Sequence, residues 1–133
     1  MSPPLFRLIH RALPGDRIIY ITDAISAAGA PPGRYRVGKL ELEVSEDRVA
    51  RCPGGTNLAG SCATPVEAVM SAAEMLGVPW QETWRRMSLG PAQWLGLPTG
   101  LGTAQDSDFC LVKTSLEGRL EQLRTFCNGQ EVL

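Results

Sequence analysis

The most constraining feature of the sequence is an apolar run that ends in one acidic residue. The run from Ile18 to Ile21 is nearly all apolar, and Thr22 and Asp23 follow it directly. Such a run is typical of a strand that is covered on both faces, as in parallel α/β sheets. We therefore predict a buried strand whose carboxyl end holds Asp23. From this feature alone, an ordinary loop or helix-capping aspartate remains an open alternative.

Length and composition limit the classes of protein to which the chain can belong. It has 133 residues, of which 44% are hydrophobic and 20% charged, so we expect one domain with a real core rather than disorder. The formal charge is −1 and the thirteen Lys and Arg residues are scattered, which argues against a nucleic-acid partner. Charged residues interrupt every apolar stretch near the N-terminus, so we predict neither a signal peptide nor a membrane span, and a cytoplasmic location.

The cysteines and the single histidine do not form a recognisable metal motif. Cys52, Cys62, Cys110 and Cys127 lack the C-x-x-C spacing of zinc sites, and His10 is the only histidine. Disulfides are compatible with this pattern but are not implied by it. His10 lies on or beside the apolar stripe of a predicted helix, so we interpret it as a packed structural residue rather than a ligand or base.

The first part of the chain is expected to change architecture near Gly33. Before it, Pro3 and Pro4 open a predicted amphipathic helix that ends before Pro14. After it, apolar residues alternate with polar ones from Tyr35 to Val44, which predicts two short antiparallel strands, with a third opening at Val49.

Helix signals are stronger in the second half. Thr64, Pro65 and Glu67 form a capping sequence, and Gly77 ends the predicted helix. Further along we predict a helix from about Pro79 to Ser88, a short turn from Pro91 to Gly96, strands at Phe109–Val112 and Leu123–Cys127, and a hairpin at Asn128–Gly129 leading to Glu131–Val132.

The segment from Gly54 to Ser61 is predicted to be a glycine-rich loop. Its glycines would let the main chain approach a polar ligand closely, although an ordinary turn-rich loop fits as well. It lacks the spacing and the lysine of a nucleotide phosphate loop, which excludes that interpretation. Trp80, Trp84 and Trp94 could stack on a sugar, but the first two share a helix stripe and are better interpreted as core.

Five short motifs follow one another along the chain: Ile21-Thr22-Asp23-Ala24, Ala28-Gly29-Ala30, Gly33-x-Tyr35, Gly55-Thr56-x-Leu58-Ala59-Gly60-Ser61 and Pro91-Ala92-x-x-Leu95-Gly96-Leu97. In order and spacing they resemble the C-terminal part of N-acetylglucosamine-6-phosphate deacetylases, which belong to the amidohydrolase superfamily. The resemblance implies an α/β fold that combines the last strand and helices of a metal-dependent-hydrolase TIM barrel with part of a small β-sandwich. The implied regions are the barrel end at 1–33, sandwich strands at 34–52, a substrate loop with helices at 53–97, and sandwich strands at 98–133.

The same resemblance implies a function and a set of site residues. The implied reaction removes acetate from N-acetylglucosamine 6-phosphate with a metal-activated water, and Asp23 matches the aspartate that acts as general base and then acid. Leu58, Ala59 and Gly60 match a loop that contacts the amino-sugar phosphate substrate largely through its backbone, and with the adjacent Ser61 they are the expected substrate-binding residues. The family implies a divalent metal of the zinc or iron type. Its glutamate and histidine ligands have no counterpart here, which leaves Asp23 as the one candidate ligand.

Three interpretations of the whole chain follow from this resemblance. In the leading one the chain is an incomplete deacetylase that is inactive alone, and the complete protein is a homodimer. In the second it is a noncatalytic binding or assembly subunit of a split amidohydrolase, which pairs with a partner that supplies the missing N-terminal barrel. In the third it acts on another amino sugar.

Overall fold

The computed structural model of the chain describes residues 1–100 and 107–132, which form two compact units, Met1–Met87 and Ser88–Leu133. Residues 101–106 and 133 of the predicted C-terminal region 98–133 lie outside the described residues. The helices are α1 at Pro3–Ala12, α2 at Pro65–Leu76, α3 at Trp80–Met87 and α4 at Leu89–Trp94, with a short 3-10 helix at Gly15–Arg17. The strands are β1 at Gly33–Val37, β2 at Leu40–Val44, β3 at Val49–Arg51, β4 at Leu58–Ser61, β5 at Phe109–Thr114, β6 at Leu120–Cys127 and β7 at Gln130–Val132.

The first unit contains a four-stranded antiparallel sheet in the order β1-β2-β3-β4. The alternating pattern of the sequence explains it, because Leu42 and Val44 point to one face of β2 and are only 1% and 2% exposed. Val44, Ala50, Cys62 and Ala27 form a buried cluster against that sheet. The two predicted strands and the third at Val49 are thus confirmed.

The strand predicted from Ile18 to Ile21 is absent, and this prediction is wrong. Ile18 has extended backbone angles, but no strand of the described residues runs beside it, so its backbone groups have no ladder in which to pair. Ile21 is 80% exposed, whereas the prediction had it covered on both faces. Within the described residues the architecture is mixed α and β with two antiparallel sheets, and the predicted domain boundaries remain predictions.

Helix α2 begins and ends where its capping residues predict. Thr64 accepts a hydrogen bond from the Glu67 N–H, and the Glu67 carboxylate accepts one from the Thr64 N–H at 2.8 Å. Gly77 ends the helix in the left-handed conformation, with φ of 69°. The other helices predicted here lie within two or three residues of their expected bounds.

The second unit contains a three-stranded antiparallel sheet in the order β5-β6-β7. Asn128 and Gly129 have φ of 49° and 72°, so they form the predicted turn between β6 and β7. Phe109 and Phe126 stack across the first strand pair with ring centroids 4.5 Å apart. In the described parts of the chain, no helix is both long enough and apolar enough to cross a membrane.

Candidate functional site

Asp23 lies in an irregular segment between α1 and β1, with its side chain exposed. Its φ is 51°, in the left-handed region that residues with a side chain rarely adopt. The Thr22 hydroxyl oxygen accepts a hydrogen bond from the Ala24 N–H at 3.3 Å and so bridges this turn. Within residues 1–100 and 107–132 the Asp23 carboxylate makes no hydrogen bond or ion pair, so it is free to meet a ligand.

The backbone of this segment pairs with strand β4. The Ser61 N–H donates to the Asp23 carbonyl at 2.8 Å, and the Ile25 N–H donates to the Ser61 carbonyl at 2.9 Å. Together the two bonds form an isolated parallel bridge between Ala24 and Ser61. The aspartate and the segment that were predicted separately from the sequence therefore meet at one edge of the sheet.

Strand β4 was predicted as part of a loop, and the structure corrects this for Leu58–Ser61. The strand contains Gly60, and glycine is a poor strand former, but β3 and the Ala24 bridge give the strand hydrogen-bond partners. Leu58 is 73% exposed, while Ala59 packs against the buried cluster. The Ser61 side chain accepts a hydrogen bond from the Ala63 N–H at 3.0 Å.

Gly60 of β4 lies close to Asp23 and Ile25. Its φ is 115°, and a Cβ atom built on it would lie 2.6 Å from Ile25 Cγ2 and 3.2 Å from the Asp23 carbonyl oxygen. A side chain at this position would therefore push on both residues.

An aromatic cluster supports the segment on its N-terminal side. His10 Nδ1 lies 2.8 Å from the Phe6 carbonyl oxygen, which can only accept, so Nδ1 carries the hydrogen and donates it. In the neutral ring, His10 Nε2 then accepts from the Tyr20 hydroxyl at 2.7 Å. His10 thus joins α1 to the segment that leads to Asp23, as a packed structural residue. The sequence did not predict this pair, since neither residue stands in a recognisable motif.

Tyr20 is the best-anchored residue of the segment. Its side chain is buried, and its N–H donates to the Arg86 carbonyl at 2.9 Å. Burial raises the pKa of the Tyr20 hydroxyl above its ordinary value, while the charge of Arg86 lowers this pKa and that of Glu82 raises it. The Arg86 guanidinium also donates to the Gly15 carbonyl, so α3 holds the segment at two points.

The described residues do not fit a metal site by themselves. Nowhere in residues 1–100 and 107–132 do three or more His, Cys, Asp or Glu side chains come together as a potential ligand set. All four cysteines are free, and within the described residues Asp23 belongs to no such group of three or more ligands.

Comparison with known proteins finds several deacetylases that are similar to this chain. The chain is 34% identical over 130 residues to the N-acetylglucosamine-6-phosphate deacetylase of Vibrio furnissii, covering 90% of this chain and 32% of that protein. It is 35% identical over 115 residues to an Escherichia coli K12 protein named as a candidate N-acetylgalactosamine-6-phosphate deacetylase, covering 86% of this chain and 67% of that protein. A scan against models of protein families found no match.

Solved structures agree with these relatives. A mutant N-acetyl-D-glucosamine-6-phosphate deacetylase from Mycobacterium smegmatis, in complex with N-acetyl-D-glucosamine-6-phosphate, matches 98% of this chain with a TM-score of 0.78 at 29% identity. The match covers 34% of that protein. The chain thus spans about a third of the length of the Vibrio and mycobacterial proteins.

Proposed function

This chain belongs to the family of N-acetylglucosamine-6-phosphate deacetylases, and from this membership we propose that it contributes the proton carrier and part of the substrate contact surface of a deacetylase site. In this proposal the chain supplies the last strand region of a TIM barrel and part of a small β-sandwich. The observation that carries the proposal is the hydrogen bond from the Ser61 N–H to the Asp23 carbonyl, because it holds the backbone of the candidate proton carrier beside the candidate substrate strand.

The proposed reaction hydrolyses the acetamide bond of N-acetylglucosamine 6-phosphate. One water molecule adds to the carbonyl carbon, the carbon–nitrogen bond breaks, and acetate and the amino sugar phosphate leave. The Asp23 carboxylate accepts a proton from the water and, as a carboxylic acid, returns it to the leaving nitrogen. Its exposed side chain, which has no competing partner among the described residues, supports this role.

Strand β4 is proposed to contact the substrate through its backbone. Leu58, Ala59 and Gly60 directly precede Ser61, whose N–H donates to the Asp23 carbonyl, so a substrate on this strand would lie near Asp23. A divalent metal of the zinc or iron type also belongs to the proposal, held mainly by ligands outside the described residues. The steps assigned to this chain are therefore proton transfer and substrate contact alone.

The decisive experiment measures acetate release from N-acetylglucosamine 6-phosphate with added zinc or iron(II). Two proteins are compared: this chain alone, and this chain fused behind the part of the Vibrio furnissii relative that it does not match. We expect release only from the fusion, and a loss of roughly 100-fold or more in its Asp23→Asn variant. The exposed Asp16→Asn serves as the matched control and should keep full activity. Release by the isolated chain, or an unchanged Asp23→Asn fusion, would contradict the proposal.

The name of the Escherichia coli relative supports a second substrate, N-acetylgalactosamine 6-phosphate. The two sugars differ only in the orientation of one hydroxyl group, so the same proton transfer serves both. Parallel assays of the fusion on both sugars, compared by kcat/KM, would decide which one the site prefers.

Exposed apolar side chains support the assembly alternative. Leu5, Leu8, Ile19 and Ile21 are 49%, 61%, 40% and 80% exposed. A second polypeptide that supplies the remaining barrel would cover such residues. Co-purification of this chain with the unmatched part of the Vibrio relative would support assembly from separate polypeptides. The homodimer and the cytoplasmic location remain proposals too, and the four free cysteines support the latter.

A further inference from the structure

We propose that Gly60 and Ser61 are positioning residues, which hold the backbone of Asp23 at a fixed place relative to the substrate strand. The inference rests on the proposed function, since it concerns how the two halves of that site act on each other. It changes the expected role of Ser61 from substrate contact to support of the proton carrier.

Both main-chain polar groups of Ser61 form hydrogen bonds with the backbone around Asp23. Its N–H donates to the Asp23 carbonyl at 2.8 Å, and its carbonyl accepts from the Ile25 N–H at 2.9 Å. The two bonds straddle Ala24 and therefore fix the peptide groups on both sides of it, the first of which directly follows Asp23. A substrate cannot use the Ser61 N–H without breaking the first bond.

Asp23 has a backbone conformation that residues with a side chain adopt uncommonly. Aspartate tolerates a φ of 51° better than most such residues, and surrounding contacts hold it here. Those contacts are the Ser61 bond on the Asp23 carbonyl and the weaker Thr22 bond at 3.3 Å to the next residue. If the Ser61 bond opened, Asp23 would relax to an ordinary φ and its carboxylate would point elsewhere.

Gly60 lies so close to Ile25 that a side chain at Gly60 would clash with it. A Cβ atom there would lie 2.6 Å from Ile25 Cγ2, which belongs to a branched side chain with few alternative rotamers. Ile25 is also packed against the buried cluster of Val44, Ala50 and Cys62, so it has little room to withdraw. Any side chain at Gly60 would therefore separate β4 from the Asp23 segment.

These contacts imply that a ligand bound to β4 changes the environment of Asp23. Leu58 and Ala59 would contact the ligand. Gly60 would allow β4 to lie close to Ile25, and a displacement of Ser61 would move the Asp23 carbonyl to which it is hydrogen-bonded. A purely structural role for Gly60 predicts no such link between the two positions.

The test uses the whole chain, labelled with 13C and 15N, and glucosamine 6-phosphate as the probe. NMR follows the Leu58 and Ala59 amide signals and the Asp23 carboxyl carbon. In the native chain we expect both to move with the same ligand midpoint. In Gly60→Ala the amides should still move, while the Asp23 response is lost. Gly38→Ala is the matched control, because Gly38 also has a positive φ of 60° but open space around it, and it should behave as the native chain does.

The double variant Gly60→Ala with Ile25→Ala provides a second check, also in case Gly60→Ala fails to fold. Removing Ile25 Cγ2 removes the nearest clash, while the 3.2 Å contact with the Asp23 carbonyl and the φ of 115° remain, so part of the Asp23 response should return. Three outcomes would overturn the inference. The Asp23 response could persist in Gly60→Ala, or stay absent in the double variant. It could also be missing from the native chain while the Leu58 amide responds.

If glucosamine 6-phosphate shifts no NMR signal in the native chain, the proposed substrate contact at β4 is wrong. A measurement on the ligand-free protein then tests the inference about Gly60 and Ser61. A scalar coupling across the Ser61 N–H to Asp23 carbonyl hydrogen bond should then be present in the native chain and in Gly38→Ala. It should vanish in Gly60→Ala. Its absence from the native chain, or its persistence in Gly60→Ala, would overturn the inference.

Discussion

The hairpin of β1 and β2 and the segment from Ile18 to Ala24 hold their backbones in different ways. Five residue pairs join the two strands of the hairpin across a two-residue turn. The other segment forms no ladder in the described residues beyond the single bridge at Ala24. It is held by separate hydrogen bonds: from the Tyr20 N–H to the Arg86 carbonyl, from the Tyr20 hydroxyl to His10, and from the Ser61 N–H to the Asp23 carbonyl. The two strands of the hairpin are close in sequence and are each other's hydrogen-bond partners. The backbone hydrogen-bond partners of the segment that contains Asp23 are Arg86 and Ser61, which are far along the chain.

The difference has a consequence for function. Paired strands with a buried face resist change, because every backbone group and the core must be disrupted together. A segment held at a few points can keep an exposed carboxylate and a strained backbone. The sheet is therefore the rigid part of the site, and the Asp23 segment is the part whose conformation can change when a ligand binds.

The largest effect is expected in the sheet. Leu42→Ala removes a side chain that is 1% exposed and should lower the free energy of unfolding by about 2–5 kcal/mol. Urea unfolding followed by far-UV circular dichroism measures this. Leu40→Ala on the same strand, where the side chain is 49% exposed, should cost less than about 1 kcal/mol. Equal losses in the two variants would mean that β2 does not bury one face.

Tyr20→Phe tests the strongest anchor of the segment. It removes the hydroxyl that donates to His10 Nε2 in a half-buried site, so we expect a loss of about 1 kcal/mol in urea unfolding. The matched control is Tyr35→Phe in the hairpin, where the hydroxyl bond to the Pro31 carbonyl is exposed and water can replace it. A larger loss for Tyr35→Phe would reverse the assignment. The NMR signals of His10, the only histidine, should change in Tyr20→Phe alone.

The ion pair between Glu67 of α2 and Arg48, which precedes β3, should respond to acid. Hydrogen bonds from the Thr64 backbone and hydroxyl lower the pKa of Glu67, and the Arg48 guanidinium lowers it further. A carboxylate with a lowered pKa stabilises the fold above its unfolded pKa and loses that contribution as the pH falls through the folded one. The stability advantage of the native chain over Glu67→Gln should thus be constant above about pH 5 and shrink below it. Urea unfolding at several pH values measures the difference, and an advantage that grows on acidification would refute the assignment.

The smallest effect is expected at Ile21. Because its side chain is 80% exposed, Ile21→Ser should change the free energy of unfolding by less than about 0.5 kcal/mol. Ile25→Ser, at a position packed against the buried cluster, should cost clearly more. A large loss at Ile21 that depends on protein concentration would show that another polypeptide surface covers it, which would support the assembly alternative.

Local signals were sufficient for some elements. The capping pair of Thr64 and Glu67 and the ending glycine at Gly77 predicted α2, because these hydrogen bonds join residues only a few positions apart. Asn128 and Gly129 predicted the last hairpin for the same reason. The resemblance of short motifs indicated the family and both candidate site segments, Asp23 and Leu58–Ser61.

Other features depended on partners that no local pattern reveals. The apolar run at Ile18–Ile21 was interpreted as a strand, yet a strand needs a neighbour with which to share hydrogen bonds, and the described residues offer none. Leu58–Ser61 was interpreted as a loop, yet it became a strand because β3 and Ala24 lie beside it.

By itself the sequence determined the helix caps, the turns, the alternating face of β2 and the family, since each depends on residue type at short spacing. Only the tertiary structure decided that Ser61 pairs with Asp23, that Gly60 cannot carry a side chain, and that His10 supports Tyr20. The physical reason is that hydrogen bonds and steric contacts need both partners in place. For the Asp23 segment, β4 and α3 supply those partners from far along the chain.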